Sequence, residues 1–149
     1  RCTDALTGVS VVLDVAHNPA AASMLARNIK REIDINQRIK QISVVIGLMA
    51  DKDVEGFVSE LRPFVDSWYV AELDDPRAMP SMNLAACLGT EDQITFPNGR
   101  AFVECYNQAC ADLFSYQQKE AESEGLIIVT GSFLCVSAVQ ESVKRNIKP

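Results

Sequence analysis

Two kinds of run alternate along this chain. Stretches in which nearly every residue is apolar or β-branched recur at 9–15 (VSVVLDV), 41–49 (QISVVIGLM), 67–73 (SWYVAEL) and 125–130 (GLIIVT). A strand buried on both faces reads this way, because both of its side-chain rows must be apolar. Between these runs, apolar residues fall every three or four positions. Ala22, Leu25, Ala26, Ile29 and Ile33 place one apolar face on a helix over about 19–33. Further helices are expected at 54–61, stopped by Pro63, at 81–88, over about 100–122 and over about 133–146. Residues 74–80 read as a polar, proline-bounded loop, and 93–96 as a short edge strand closed by Pro97-Asn98-Gly99. Strands alternating with helices throughout predict an α/β fold: a single doubly wound, mostly parallel sheet with helices on both faces, Rossmann-like in plan. No repeat, linker or low-complexity tract divides residues 1–149, so one domain is expected.

Size agrees with that reading. At 149 residues and 16.4 kDa the chain can build one good core and not two comfortable ones. The net charge of −6, without a basic run, gives no reason to expect nucleic acid or an anionic membrane as partner. No apolar run approaches the roughly 20 residues that span a bilayer. The five cysteines (Cys2, Cys87, Cys105, Cys110, Cys135) show no CxxC spacing and are odd in number. Neither a zinc site nor a disulfide framework is expected, but reduced, mostly buried thiols in a cytoplasmic protein. The start at Arg1-Cys2-Thr3, without Met, is expected to be a cut just before a strand.

The chemistry concentrates where strands end. In an open parallel sheet, ligands sit at the carboxyl ends of the strands. There the sequence places Asp14 and His17 after the first run, Asp51-Lys52-Asp53 after the second, Arg77 after the third and Ser132 after the last. His17 is the sole histidine. Asn18 beside it is a good helix N-cap, and Pro19 suits the first turn because its missing N–H is not needed there. A strand running into a helix start gathers free N–H groups and the positive end of the helix dipole, a natural seat for an anion. Yet GxxxxGK[ST], GxGxxG and GxSxG are all absent. A domain of this kind has no evident means of holding a triphosphate alone.

Four segments, in order, carry a resemblance: Leu13-Asp14-Val15-Ala16-His17-Asn18-Pro19; Val45-Ile46-Gly47-Leu48-Met49-Ala50-Asp51-Lys52-Asp53; Trp68-Tyr69-Val70-Ala71 with Pro76-Arg77; and Gly131-Ser132-Phe133. Together they resemble the C-terminal domain of bacterial folylpolyglutamate synthase/dihydrofolate synthase, in the Mur ligase superfamily. The likeness covers essentially the whole chain. Arg1 matches the last residue of the family's Pro-Gly-Arg segment at the domain boundary.

The resemblance implies an enzyme that ligates L-glutamate to dihydropteroate or a folate with ATP and magnesium. The substrate carboxylate attacks the γ-phosphate, giving an acyl phosphate that the glutamate amine then attacks. A larger N-terminal domain, absent from this chain, would carry the P-loop, the magnesium ligands and most of the folate pocket. The fragment alone is therefore expected to be inactive, and no metal ligand is expected on it. Carried over by position, Arg1 and Asp14 are the implied ATP contacts, to phosphate oxygens and ribose hydroxyls. His17 is implied to lie where phosphates and incoming glutamate meet, and Ser132 near the glutamate carboxylate. The family often continues His-Thr after Gly-Ser-Phe, where this chain has Leu134-Cys135.

Plainer roles stand beside these. Asp14 can be a turn former and Ser132 a helix N-cap; 51–53 can be a solvated cap, with Lys52 a weaker anion contact. Trp68, Tyr69 and Cys135 read as packing. Two other functions fit the same pattern. One is a peptidoglycan-precursor ligase domain. The other is a receiver-like binding module using Asp14 as phosphoacceptor, which needs an acidic cluster and a late-strand Lys where this chain has Gly131-Ser132.

Overall fold

The computed structural model describes residues 2–89, 93–96 and 101–145. In chain order the elements are β1 (Cys2–Asp4), β2 (Ser10–Leu13), α1 (Pro19–Ile35), β3 (Ile39–Ile46), α2 (Val54–Leu61) and β4 (Ser67–Ala71). They continue with α3 (Ser81–Leu88), β5 (Gln93–Phe96), α4 (Ala101–Lys119), β6 (Glu124–Thr130), α5 (Phe133–Val139) and β7 (Val143–Arg145). The strands form one seven-stranded sheet in the order β5-β4-β3-β6-β2-β1-β7. Every pairing from β5 to β2 is parallel, whereas β1 runs antiparallel to both β2 and β7.

The apolar runs become strands because each faces two helical layers. On one face Leu25, Ile29, Phe57 and Leu61 of α1 and α2 pack over Val44, Ile46, Val70 and Ile128. On the other, Phe102, Tyr106 and Leu113 of α4 and Cys135 of α5 cover Val11, Val45, Ile127 and Val129. Adjacent residues such as Val44 and Val45 thus serve opposite cores. Each such side chain, fully buried, contributes about 1.5–3 kcal/mol relative to exposure. Local chemistry sets the helix starts. Asn18 Oδ1 accepts from Ala21 N at 2.8 Å with Pro19 in the first turn, and Asp53 Oδ1 accepts from Gly56 N at 3.0 Å.

Two features depart from the sequence reading. The helix expected over 133–146 ends at Val139; a single 3₁₀ turn, Gln140–Ser142, then leads into β7. The edge strand wins because β1 offers its backbone partners: Ser142 O accepts from Ala5 N at 2.9 Å, and Val143 stands opposite Asp4. The strand β1 is also an addition, short and without periodicity. The Pro97-Asn98-Gly99 turn lies outside the described residues.

The order of strands fixes where a ligand can go. From β2 the chain crosses over α1 to β3, leaving a gap that β6 later fills. From these two neighbouring strands α1 leaves on one face and α5 on the other. Such a reversal opens a crevice at the carboxyl ends.

Candidate functional site

At that crevice the loops after β2 and β6 are stitched together. Asp14 N still donates to Val129 O at 3.0 Å, in ladder fashion. Asp14 Oδ1 then accepts from Ala16 N at 2.7 Å and turns the chain. The Ala16 carbonyl in turn accepts from Gly131 N at 3.0 Å and from Thr130 Oγ1 at 3.5 Å. The turn-forming role of Asp14 is thus real, and it occupies one carboxylate oxygen. Asp14 is half-buried and His17 exposed, so both reach the solvent side of the rim rather than the core. His17 Nδ1 lies 3.1 Å from the Val15 carbonyl. With the proton on Nδ1 the ring donates to that oxygen and leaves Nε2 as a free acceptor. The start of α1 follows directly, adding its dipole to the same spot.

The exit from β6 is equally constrained. Gly131 has φ +115°, and a Cβ there would lie 2.1 Å from Gly47 O. Only glycine allows this backbone approach between the β6 and β3 loops. Ser132 is buried, and its Oγ accepts from Leu134 N at 3.1 Å, so it is the N-cap of α5. The two residues that replace the family's polar pair are apolar packing. The Cys135 thiol is sealed, donates to Gly47 O at 3.3 Å, and is pushed up to about 12 by burial. Such a thiol is inert. Leu134 lines a cavity of about 250 Å³ with Leu73 and Phe102. Four of the five cysteines are buried, and all five are free.

Beyond β3 and β4 the rim is built differently. Ala50 N donates to Arg77 O at 2.8 Å and Met79 N to Leu48 O at 2.8 Å, so the two loops form a small antiparallel pair. Asp53 serves α2 as its cap. The exposed Arg77 pairs with Asp75 at 3.2 Å and holds that carboxyl below its usual range. Asp14, His17 and Ser132 are thus brought to adjacent loops. The 51–53 segment and Arg77 share the neighbouring corner, and Arg1 lies outside the described residues. Among the described residues no group of three or more His, Cys, Asp or Glu is placed to hold a metal ion, and no acidic cluster of that kind surrounds Asp14. Sequence reasoning missed the Ala16 carbonyl and the Gly131–Gly47 approach; the glycine directly after an apolar run was their one visible sign.

The chain is similar to known proteins in both sequence and fold. The family model described as Mur ligase, glutamate ligase domain, matches residues 2–133. The chain is 34% identical over 133 residues to the dihydrofolate synthase/folylpolyglutamate synthase of Escherichia coli K12, covering 89% of this chain and 28% of that protein. The structure of E. coli FolC in complex with DHPP and ADP superposes with a TM-score of 0.71 at 33% identity, over 88% of this chain and 28% of that one. A bifunctional folylpolyglutamate synthase/dihydrofolate synthase with Mn, AMPPNP and L-glutamate bound gives 0.64 at 30% identity, over the same shares. The chain spans about 28% of the length of the curated relatives it matches. No helix among the described residues is long and apolar enough to cross a membrane.

Proposed function

The chain belongs to the Mur ligase family, as its glutamate ligase domain, and from that membership we propose that it is the C-terminal part of an ATP-dependent ligase. Its reaction is the joining of L-glutamate to dihydropteroate, to folates or to both. The observation that carries the reading is the half-built site at the ends of β2 and β6. There Asp14 and His17 face outward beside a helix start, on a backbone locked by Gly131.

The residues fit one side of a nucleotide. Asp14 spends Oδ1 on its own turn and has a second oxygen to accept from ribose hydroxyls. His17, fixed through Nδ1, presents Nε2 to a phosphoryl oxygen, as donor when protonated, or to glutamate. The hydroxyl of Ser132 caps α5, so its part in holding a glutamate carboxylate is to fix the helix end that faces it. Arg1 supplies a guanidinium for phosphate oxygens. Bound magnesium would offset phosphate charge; the described residues provide no cluster for it, and by the family resemblance an N-terminal domain with a P-loop would hold it. What this chain does in the reaction is position. It completes the nucleotide site, orients the incoming amine against the activated carboxyl, and closes with the other domain to exclude water. Free thiols and an ATP-using reaction support a cytoplasmic location.

Full-length protein supplied with ATP, Mg and L-glutamate should release phosphate only when dihydropteroate or a reduced folate is added, and the product should gain one glutamyl unit by mass. The isolated domain should be inert, and acetyl phosphate should not label Asp14. Glutamate-independent turnover, or labelling of Asp14, overturns the assignment.

A further inference from the structure

Glycine inside a helix costs stability relative to alanine, so one that sits there needs a reason. Gly56 stands in the first turn of α2, and its φ is not positive, so its backbone angle does not call for glycine. The reason is space. A Cβ at Gly56 would lie 2.9 Å from Cγ of Pro19, the first residue of α1, and closer still to Oδ2 of Asp53. The two neighbours differ. The Asp53 carboxylate is the free end of a side chain and can rotate. The Pro19 ring is closed onto its own backbone nitrogen, so it moves only with the chain that carries it.

That chain is the loop after β2, and Pro19 follows His17 by two residues. Asn18 between them is held twice: its Oδ1 accepts from Ala21 N at 2.8 Å and its carbonyl from Ala22 N at 3.0 Å. His17 therefore shifts with the first turn of α1. The facing turn of α2 is no freer. Asp53 O accepts from Phe57 N at 3.0 Å, and Val54 and Phe57 are buried in one core with Ala16 and Ala22. The loop leading into α2 is tied in turn to the β4 loop, Ala50 N donating to Arg77 O. Gly56 thus marks the place where two fixed helix starts meet, bare backbone against ring.

We propose that Gly56 is a positioning residue for His17: the backbone of α2 is the wall on which the Pro19 ring seats, and that seat sets where the imidazole stands at the crevice. Gly56 touches no ligand and acts through Pro19. The part belongs to the packing of α2 and not to its charges. The inference rests on the ligase reading above and goes beyond it, since Gly56 lies outside the four segments that carry the family likeness.

The test uses the full-length ligase with Gly56→Ala alone and in the His17→Ala, Pro19→Ala and Asp53→Ala backgrounds. Alone, it should lower kcat/KM for glutamate about tenfold, short of the roughly 100-fold that a misplacement of about 1 Å can cost. In the His17→Ala background it should cost nothing further, because both changes act through one imidazole. In the Pro19→Ala background it should again cost nothing further, because the Cγ it meets is gone. In the Asp53→Ala background the fall should persist, since only the rotatable neighbour has been removed. That double variant also decides the matter where Gly56→Ala folds poorly. An unchanged kcat/KM in Gly56→Ala sinks the proposal, and a lowered melting temperature beside it would show a purely structural contact. So would a fall that multiplies with His17→Ala, survives loss of the Pro19 ring, or vanishes with the Asp53 carboxylate. A wild-type enzyme lacking glutamate-dependent ATP turnover, or a fully active His17→Ala, would overturn the ligase site itself, and is told apart by needing no Gly56 variant.

Discussion

Two corners of the same rim use their polar residues in opposite ways. Beyond β3 and β4, Asp53 caps α2 and Arg77 pairs with Asp75, so these charges are turned to each other or to the backbone. Beyond β2 and β6 the backbone is held by main-chain bonds and a glycine contact, through Ala16, Gly131 and Gly47. That leaves His17 Nε2 and one oxygen of Asp14 without a partner among the described residues. A rim whose charges are spent on each other is a solvated edge. A rim whose backbone is rigid while its charges are unspent is prepared for a ligand.

The hardest blow to the second corner is Gly131→Ala. The new Cβ meets a backbone oxygen at 2.1 Å, which cannot swing away, and the φ of +115° is strained for any L side chain. A loss of about 3–5 kcal/mol is expected from strain and overpacking together, read as a fall in the denaturant midpoint. Gly89→Ala is the control: its φ is also positive, but no atom lies within 4 Å of its Cβ position, so about 1 kcal/mol is expected. Equal losses at the two glycines would mean that the Gly47 contact contributes nothing.

His17→Ala and Asp14→Ala probe the uncommitted groups. In the full-length ligase each should lower kcat/KM on the order of 100-fold, the scale for losing one aimed polar group at a reaction centre. His17→Ala should leave thermal stability unchanged, because the ring is exposed and makes one hydrogen bond to its own loop. Asp14→Ala should also lose about 1 kcal/mol with the bond to Ala16 N. Steady-state kinetics beside thermal melts separate the two. Full activity in His17→Ala would remove the site from this corner.

The parts that could be read from sequence share one property: they are local. The runs at 41–49 and 125–130 are apolar throughout because both faces of the sheet are covered, and the strands fall within two or three residues of them. Asp14 and His17 were legible because they stand where a strand turns into a capped helix. The remainder depends on partners distant in sequence. Three residues of Cys-Thr-Asp show no period, and β1 exists because β2, β7 and Tyr106 hold it. Nothing at Gly131 announces that its neighbour is Gly47, since that follows from β6 inserting beside β3.

Acid exposes a further contrast between buried and exposed carboxylates. Burial disfavours the charged form of Asp4, but hydrogen bonds from Thr7, Tyr106 and Leu6 outweigh it and hold the carboxyl below its usual range. A carboxylate depressed in the folded state stabilises above the ordinary carboxylate range and loses that contribution as pH falls through its folded value. Asp4→Asn should therefore lower stability by about 2 kcal/mol at neutral pH and flatten the acid limb of the stability curve. An acid limb identical in both proteins would show that Asp4 does not sense the transition.

The smallest effects belong to the first corner. Asp53→Ala removes a side-chain cap and should lower stability by about 1 kcal/mol without touching catalysis. Arg77→Ala should do less still. Its guanidinium is exposed, so its attraction to Asp75 is screened and side-chain entropy opposes the pair. The loop does not depend on that side chain, because the Arg77 carbonyl, which any residue supplies, accepts from Ala50 N. Melting temperature and kcat/KM should both match wild type. A clear fall in kcat/KM at unchanged stability would show that Arg77 leaves Asp75 to meet the ligand, and would move the boundary of the site across to β4.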